Sequence, residues 1–200
     1  MALVELALSS YSFTAEHYIE RSSDQDPKFD LNAPYQRASV WTIEQRQALV
    51  KSLYMGLPIG SLIVAALPYK PGRATYRVID GKQRIEAVRA FVADEFGVPG
   101  EWFQRRYVAD PPATGQLRWS DLSTNGHRAF QGSTIPSLQF DSGIRWVHDE
   151  ATGKWGTAKR NDAEMLVAEA EVYGLVNGGG TAQTAADMAN AAAVAAGGEA

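Results

Sequence analysis

The chain is 200 residues long and 45% apolar, with five Trp, enough to build one domain around a sizeable core. It has no Cys, which excludes disulfides, thiolate nucleophiles and Cys-type zinc sites. Residues 161–200 carry six of the 23 acids and no Lys or Arg, leaving 19 bases against 17 acids in the body, so a basic stripe for tight DNA binding is lacking and DNA contact is expected to be weak alone.

In chain order, residues 14–21 read as a short helix capped by Thr14, and 28–31 as a strand leading into Tyr35-Gln36-Arg37. Thr42 with Gln45 forms a capping box that opens a helix. Leu49, Val50, Leu53, Tyr54 and Leu57 line its buried face, and Gly56 with Pro58 stops it. Residues 61–67 are a buried strand, Pro71-Gly72 a turn, and 75–79 the hairpin partner. The next helix places Ile85, Val88, Phe91 and Val92 on one core face.

Between 94 and 116, Gly97, Pro99-Gly100, Pro111-Pro112 and Gly115 break the pattern, predicting an irregular connection or lid with one short helix. An extended piece at 117–121, a helix at 125–131 and strands at 135–140 and 144–148 follow. Residues 149–154 form a hairpin tip, with Trp146 and Trp155 on its arms placed to pair across it. A last amphipathic helix runs into the glycine loop 178–180, and the Ala-rich 182–200 reads as a helix or frayed tail. These elements predict an α+β fold, a small mixed sheet with flanking helices, as one compact domain over 1–181.

The chemistry concentrates in Tyr76-Arg77-Val78-Ile79-Asp80-Gly81-Lys82-Gln83-Arg84, where a strand meets an Asp-Gly turn and then a helix. Gly allows close backbone approach, and the helix start offers amide groups and the positive end of its dipole to an anion. Lys82 and Arg84 add positive charge, Gln83 a donor and acceptor, and Asp80 an oxygen for Mg²⁺ or a water. The same residues also read as an ordinary turn and a solvated helix start. No Gly-x-x-x-x-Gly-Lys-[Ser/Thr], His-Glu-x-x-His or Gly-x-Ser-x-Gly pattern is present, and His17, His127 and His148 are scattered along the chain.

Tyr35-Gln36-Arg37 before Trp41, Pro58-Ile59, Ile79 to Arg84 and Asn177 to Gly180 occur in an order that resembles the N-terminal domain of GmrSD-type modification-dependent restriction enzymes, within the ParB/sulfiredoxin-like superfamily. The resemblance implies NTP binding and Mg²⁺-dependent hydrolysis by a ParB/sulfiredoxin-like domain. Asp80, Gly81, Gln83 and Arg84 match the family's nucleotide site, and Arg37 and Asn177 match positions flanking it. Lys82 departs from the family's Gln, which strengthens phosphate binding and removes an amide that could orient a water.

The roles that follow are Asp80 and Gln83 in catalysis, Asp80 as metal ligand, and Arg37, Gly81, Lys82, Arg84, Asn177 and Gly179 holding the nucleotide. Asn177 and the glycine loop are expected to close over it. The His-Asn-His nuclease module of the full-length enzymes is missing from the sequence, so cleavage is expected to need a nuclease or other protein partner. A ParB-like DNA nuclease and a non-catalytic interaction protein remain as alternatives. No stretch is apolar and long enough to cross a bilayer, and the first residues lack a signal-peptide pattern, so no membrane partner is expected. The location expected is the cytoplasm of a bacterium or phage-infected cell.

Overall fold

The computed structural model describes residues 8–20, 28–36, 40–112, 114–178, 189, 192–194 and 196. The strands β1 (Ser9–Thr14), β2 (Phe29–Asp30), β3 (Leu62–Ala66), β4 (Tyr76–Asp80) and β7 (Thr134–Asp141) form a five-stranded sheet in the order β1-β7-β3-β4-β2. Pairing is antiparallel for β1/β7 and β3/β4 and parallel for β3/β7 and β2/β4, so the sheet is mixed as expected. Two pairs stand apart from it, β5 (Val98–Pro99) with β6 (Gln116–Leu117), and β8 (Ile144–Asp149) with β9 (Lys154–Lys159).

Side chains alternate across the sheet and build a core on each face. On one face Leu62, Val64, Val78 and Ile135 pack with residues of α1 (Ala15–Glu20), α2 (Ile43–Met55), α3 (Lys82–Val92) and α4 (Thr124–Gln131). On the other, Ala65, Ile79 and Phe140 meet Ala33, Tyr35 and the inner face of α5 (Asp162–Gly178), where Val194 is also buried. The protein is thus an α+β fold with helices on both faces of a small mixed sheet.

Local signals explain most of these elements. Thr42 Oγ1 accepts from Gln45 N–H while Gln45 Oε1 accepts from Thr42 N–H at 2.9 Å, closing the capping box that opens α2. Gly56, at φ 66°, ends that helix in the left-handed conformation. Thr42→Ala is expected to cost about 1 kcal/mol, seen as a melting point lower by roughly 2–4 °C.

Three expectations change. Strand β1 escaped the sequence reading because its Ser-rich stretch SSYSFT carries few apolar residues and lies at the sheet edge, largely exposed. Helix α1 begins after it, at Ala15, whose N–H donates to Ser133 O at 2.8 Å. The segment 94–116 is part of the core rather than a lid: Phe96 and Val98 are buried, Phe103 meets Tyr54 edge-on at 4.5 Å, and two 3₁₀ turns replace the single short helix. The extended piece expected at 117–121 is the end of β6 followed by a 3₁₀ turn over Trp119–Asp121.

Candidate functional site

Strand β4 delivers Asp80 to the sheet end and α3 starts two residues later. The β3/β4 register steps from Val64↔Val78 to Ile63↔Asp80, so β4 carries one extra residue, Ile79, in a bulge next to the site. Gly81 turns the chain at φ 97°, ψ 10°, a conformation that disfavours any side chain. A Cβ there would sit 2.1 Å from Leu62 Cδ2, so both backbone and space demand glycine. Helix α3 then begins without a side-chain cap, leaving its first-turn amides and positive dipole end at the turn.

A cavity of about 130 Å³ opens at this junction, lined by Gln36, Trp41, Ile79, Asp80, Gly81, Lys82, Gln83, Arg84, Tyr173 and Asn177. Six of the eight residues assigned from sequence therefore meet in one place. The other two, Arg37 and Gly179, lie outside the described residues. A volume this far below the ~300–1,000 Å³ of a pocket enclosing a whole small ligand suits one polar end of a larger molecule.

Each wall is fixed by identifiable bonds. Arg84 donates from Nη1 to Ser61 O at 2.8 Å and from Nη2 to Asp80 Oδ2 at 3.1 Å, bracing the turn across its own first helical turn. Lys82 Nζ lies 3.9 Å from Glu86 Oε1, a loose pair. Gln83 Oε1 accepts from the N–H groups of both Val40 and Trp41 at 3.0 Å, tying the segment before α2 to α3. Asn177 sits in the last turn of α5, with its Nδ2 donating to Tyr173 O at 2.9 Å, rather than in a loop as the sequence suggested.

Gln36 was passed over as a site residue. Its Nε2 donates to Val78 O at 2.6 Å and Ile79 O at 3.0 Å, beyond the point where β2 ends its pairing with β4. That fixes the amide orientation and leaves Oε1 buried without a hydrogen-bond partner among the described residues. Gln36 lines the cavity, and its place in the Tyr35-Gln36-Arg37 block was the available signal.

A buried ionic network stands behind the cavity. Arg77 donates to Glu169 Oε2 at 2.7 Å and to Asp30 Oδ2 at 2.9 Å, and Tyr35 OH donates to the same Glu169 oxygen at 3.3 Å. Burial pushes the Glu169 carboxyl above its ordinary value while Arg77 pulls it down. Although burial opposes its charge, the Glu169 and Asp30 carboxylates hold the Arg77 guanidinium above its ordinary value. Burial, followed by Glu169, raises the Tyr35 hydroxyl far above its usual range. The network joins β4, α5 and the segment at 33–36, the three elements that carry Asp80, Tyr173 with Asn177, and Gln36.

As a ligand for Mg²⁺ the cavity offers the Asp80 carboxylate. No group of three His, Asp or Glu side chains able to hold a metal occurs among the described residues. One carboxylate, supplemented by phosphate oxygens and waters, is nevertheless an ordinary way for Mg²⁺ to bind, so the residues fit that ion only in company with a ligand.

The order of these pieces along the chain agrees with a family match: the family described as GmrSD restriction endonuclease, N-terminal domain, aligns over residues 17–193, and the chain belongs to that family. No curated protein and no solved structure gives a significant match. Among the described residues no helix is long and apolar enough to cross a membrane.

Proposed function

We propose that the β4–α3 cavity binds the triphosphate of an NTP together with Mg²⁺ and hydrolyses it, as part of a restriction, counter-restriction or DNA-linked regulatory system. The observation that carries this reading is the meeting of an uncapped helix start with Lys82 and Arg84 in one small polar cavity. Amides, dipole and two cations neutralise phosphate oxygens, and the cavity's size admits the phosphate end while the base stays outside. Asp80 would supply an oxygen to Mg²⁺, which when bound adds charge neutralisation at the phosphates. The second clamp assigned to Arg37 and the backbone contact assigned to Gly179 rest on the family resemblance.

A second reading has specific support. Gln83 Oε1 already holds two backbone amides, and Asp80 Oδ2 is paired with Arg84, so the two residues assigned to catalysis are engaged in building the site. On that reading the domain binds nucleotide without turnover and acts through a partner protein.

A thermal-shift panel over the four NTPs, with and without Mg²⁺, tests the site. At a ligand concentration 100 times Kd the stabilisation is about 2.7 kcal/mol, a rise of roughly 5–11 °C. Lys82→Ala and Arg84→Ala are expected to remove the rise, and Asp80→Ala to remove its Mg²⁺ dependence. Unchanged shifts in both cation variants would overturn the assignment. Phosphate release in the same samples separates the readings, since binding without release supports the second.

A further inference from the structure

We propose that the β8–β9 ribbon is a binding arm for single-stranded nucleic acid, with bases stacking on Trp146 and Trp155 and phosphate held by Lys159 on the same face.

The ribbon leaves the sheet at the end opposite the candidate nucleotide cavity. β7 runs parallel to β3 and closes at Ala66↔Asp141, whereas antiparallel β4 closes at Ile63↔Asp80. The β8/β9 register pairs Ile144 with Lys159, Trp146 with Thr157 and His148 with Trp155, which puts all six on one face. Instead of the Trp–Trp pair expected from sequence, Trp155 packs on His148, with ring centroids 5.0 Å apart. Trp146 is 49% exposed and Trp155 61%, so neither is core. On one face of an antiparallel ribbon, diagonal neighbours stand about 7–8 Å apart, room for one flat ring between two indoles.

Charge selects the occupant. The face with the two indoles carries Lys159, which makes no ion pair among the described residues, and no acid; Arg145, Lys154 and Asp149 lie on the opposite face, Asp149 accepting from Ala151 N–H, Thr152 N–H and the Thr152 hydroxyl, and Glu150 stands at the tip. At the foot of the ribbon, Ile144 and Lys159 join Lys70, Arg160 and Asn161 around a cavity of about 550 Å³. Lys70 there is already paired with Asp162 at 2.9 Å, which leaves Lys159 as the ammonium of this cavity without an ion pair among the described residues. Exposed indoles on one face with an unpaired ammonium and no acid suit a polyanion that also presents flat rings, and a charged group acts within about a Debye length despite the chain's net −4.

Anisotropy of a labelled oligothymidylate, compared with a duplex of equal length, tests the arm at low salt. Wild type is expected to prefer the single strand. Trp146→Ala/Trp155→Ala is expected to bind at least about tenfold more weakly, with its melting point and NTP-dependent shift unchanged. Trp146→Phe/Trp155→Phe should recover most of the loss, and Lys159→Ala should lower the salt slope by about 0.7. The proposal is overturned if wild type does not bind, if it prefers duplex, or if the double alanine variant binds equally well. Loss of self-association in that variant, seen by sedimentation, would assign the face to a second copy of the chain and overturn it too.

Discussion

Glu169→Ala is expected to lose about 3–5 kcal/mol of stability, because removing one member of a buried ion pair strands the other, and its melting point should fall by roughly 6–20 °C. Glu169 is fully buried, and Arg77 reaches it at 2.7 Å with Asp30 as its one other acidic partner among the described residues. Without the carboxylate, the Arg77 guanidinium and the Tyr35 hydroxyl both lose their acceptor on α5. Glu169→Gln keeps the shape and an acceptor, so a smaller loss is expected.

The pH dependence of that comparison has a definite sign. Burial raises the Glu169 carboxyl above its ordinary 4.5. A carboxyl with a raised folded value takes up its proton more readily in the native state, so its contribution is complete below 4.5 and fades as pH rises through the folded value. The advantage of wild type over Glu169→Gln should therefore shrink as pH rises above 4.5. Chemical denaturation at pH 4.5 and at successively higher pH checks it, and an advantage that grew with pH would show attraction to Arg77 outweighing desolvation.

The network also shows why part of the site could be read from sequence and part could not. Asp80 to Arg84 is a local block whose strand, turn and helix chemistry lie within a few residues, so its geometry followed from spacing. Arg77 and Glu169 are 92 positions apart and meet only once the sheet is assembled. Their signals were present but mute: Arg77 shares a strand face with buried Ile79, and Glu169 lies among Met165, Val172 and Tyr173 on the buried face of α5. A charge at a core position announces a partner without saying which.

The bonding of Gln36 and Gln83 was hidden in the sequence for a related reason. An amide that will satisfy backbone groups exposed by a bulge or a strand end looks, in sequence, like an amide poised for a ligand. Gln83 gives its oxygen to Val40 and Trp41, whereas Gln36 spends its nitrogen on β4 and keeps its oxygen buried without a hydrogen-bond partner among the described residues. The Trp146 and Trp155 pairing went astray through register alone. The five-residue spacing between Asp149 and Lys154 sets His148 opposite Trp155, which no composition rule could supply.

Gly81→Ala is expected to damage fold and site together. Overpacking costs about 1–3 kcal/mol, and a left-handed conformation adds about 1–2 kcal/mol for a residue with a Cβ. The sum, roughly 2–5 kcal/mol, corresponds to a melting point lower by about 4–20 °C. The clash cannot be relieved cheaply, since Leu62 is fully buried and the new methyl would also stand 3.1 Å from Arg84 Nη1. Gly56→Ala is the matching control: at φ 66° it carries similar backbone strain, but its Cβ would meet nothing within 4 Å. It should lose only the conformational part and keep any nucleotide-dependent shift. Displacing Arg84 in Gly81→Ala removes both the brace on Asp80 and the approach of phosphate to the helix start, so that variant should lose the shift even where it remains folded. Coupling is checked by adding Leu62→Ala, which removes the clashing Cδ2 at the expense of a cavity. The double variant should be less destabilised than the two single losses added together. Strict additivity, or a Gly81→Ala protein as stable as Gly56→Ala, would show that the turn tolerates a side chain and that its close approach to Leu62 does not hold the site.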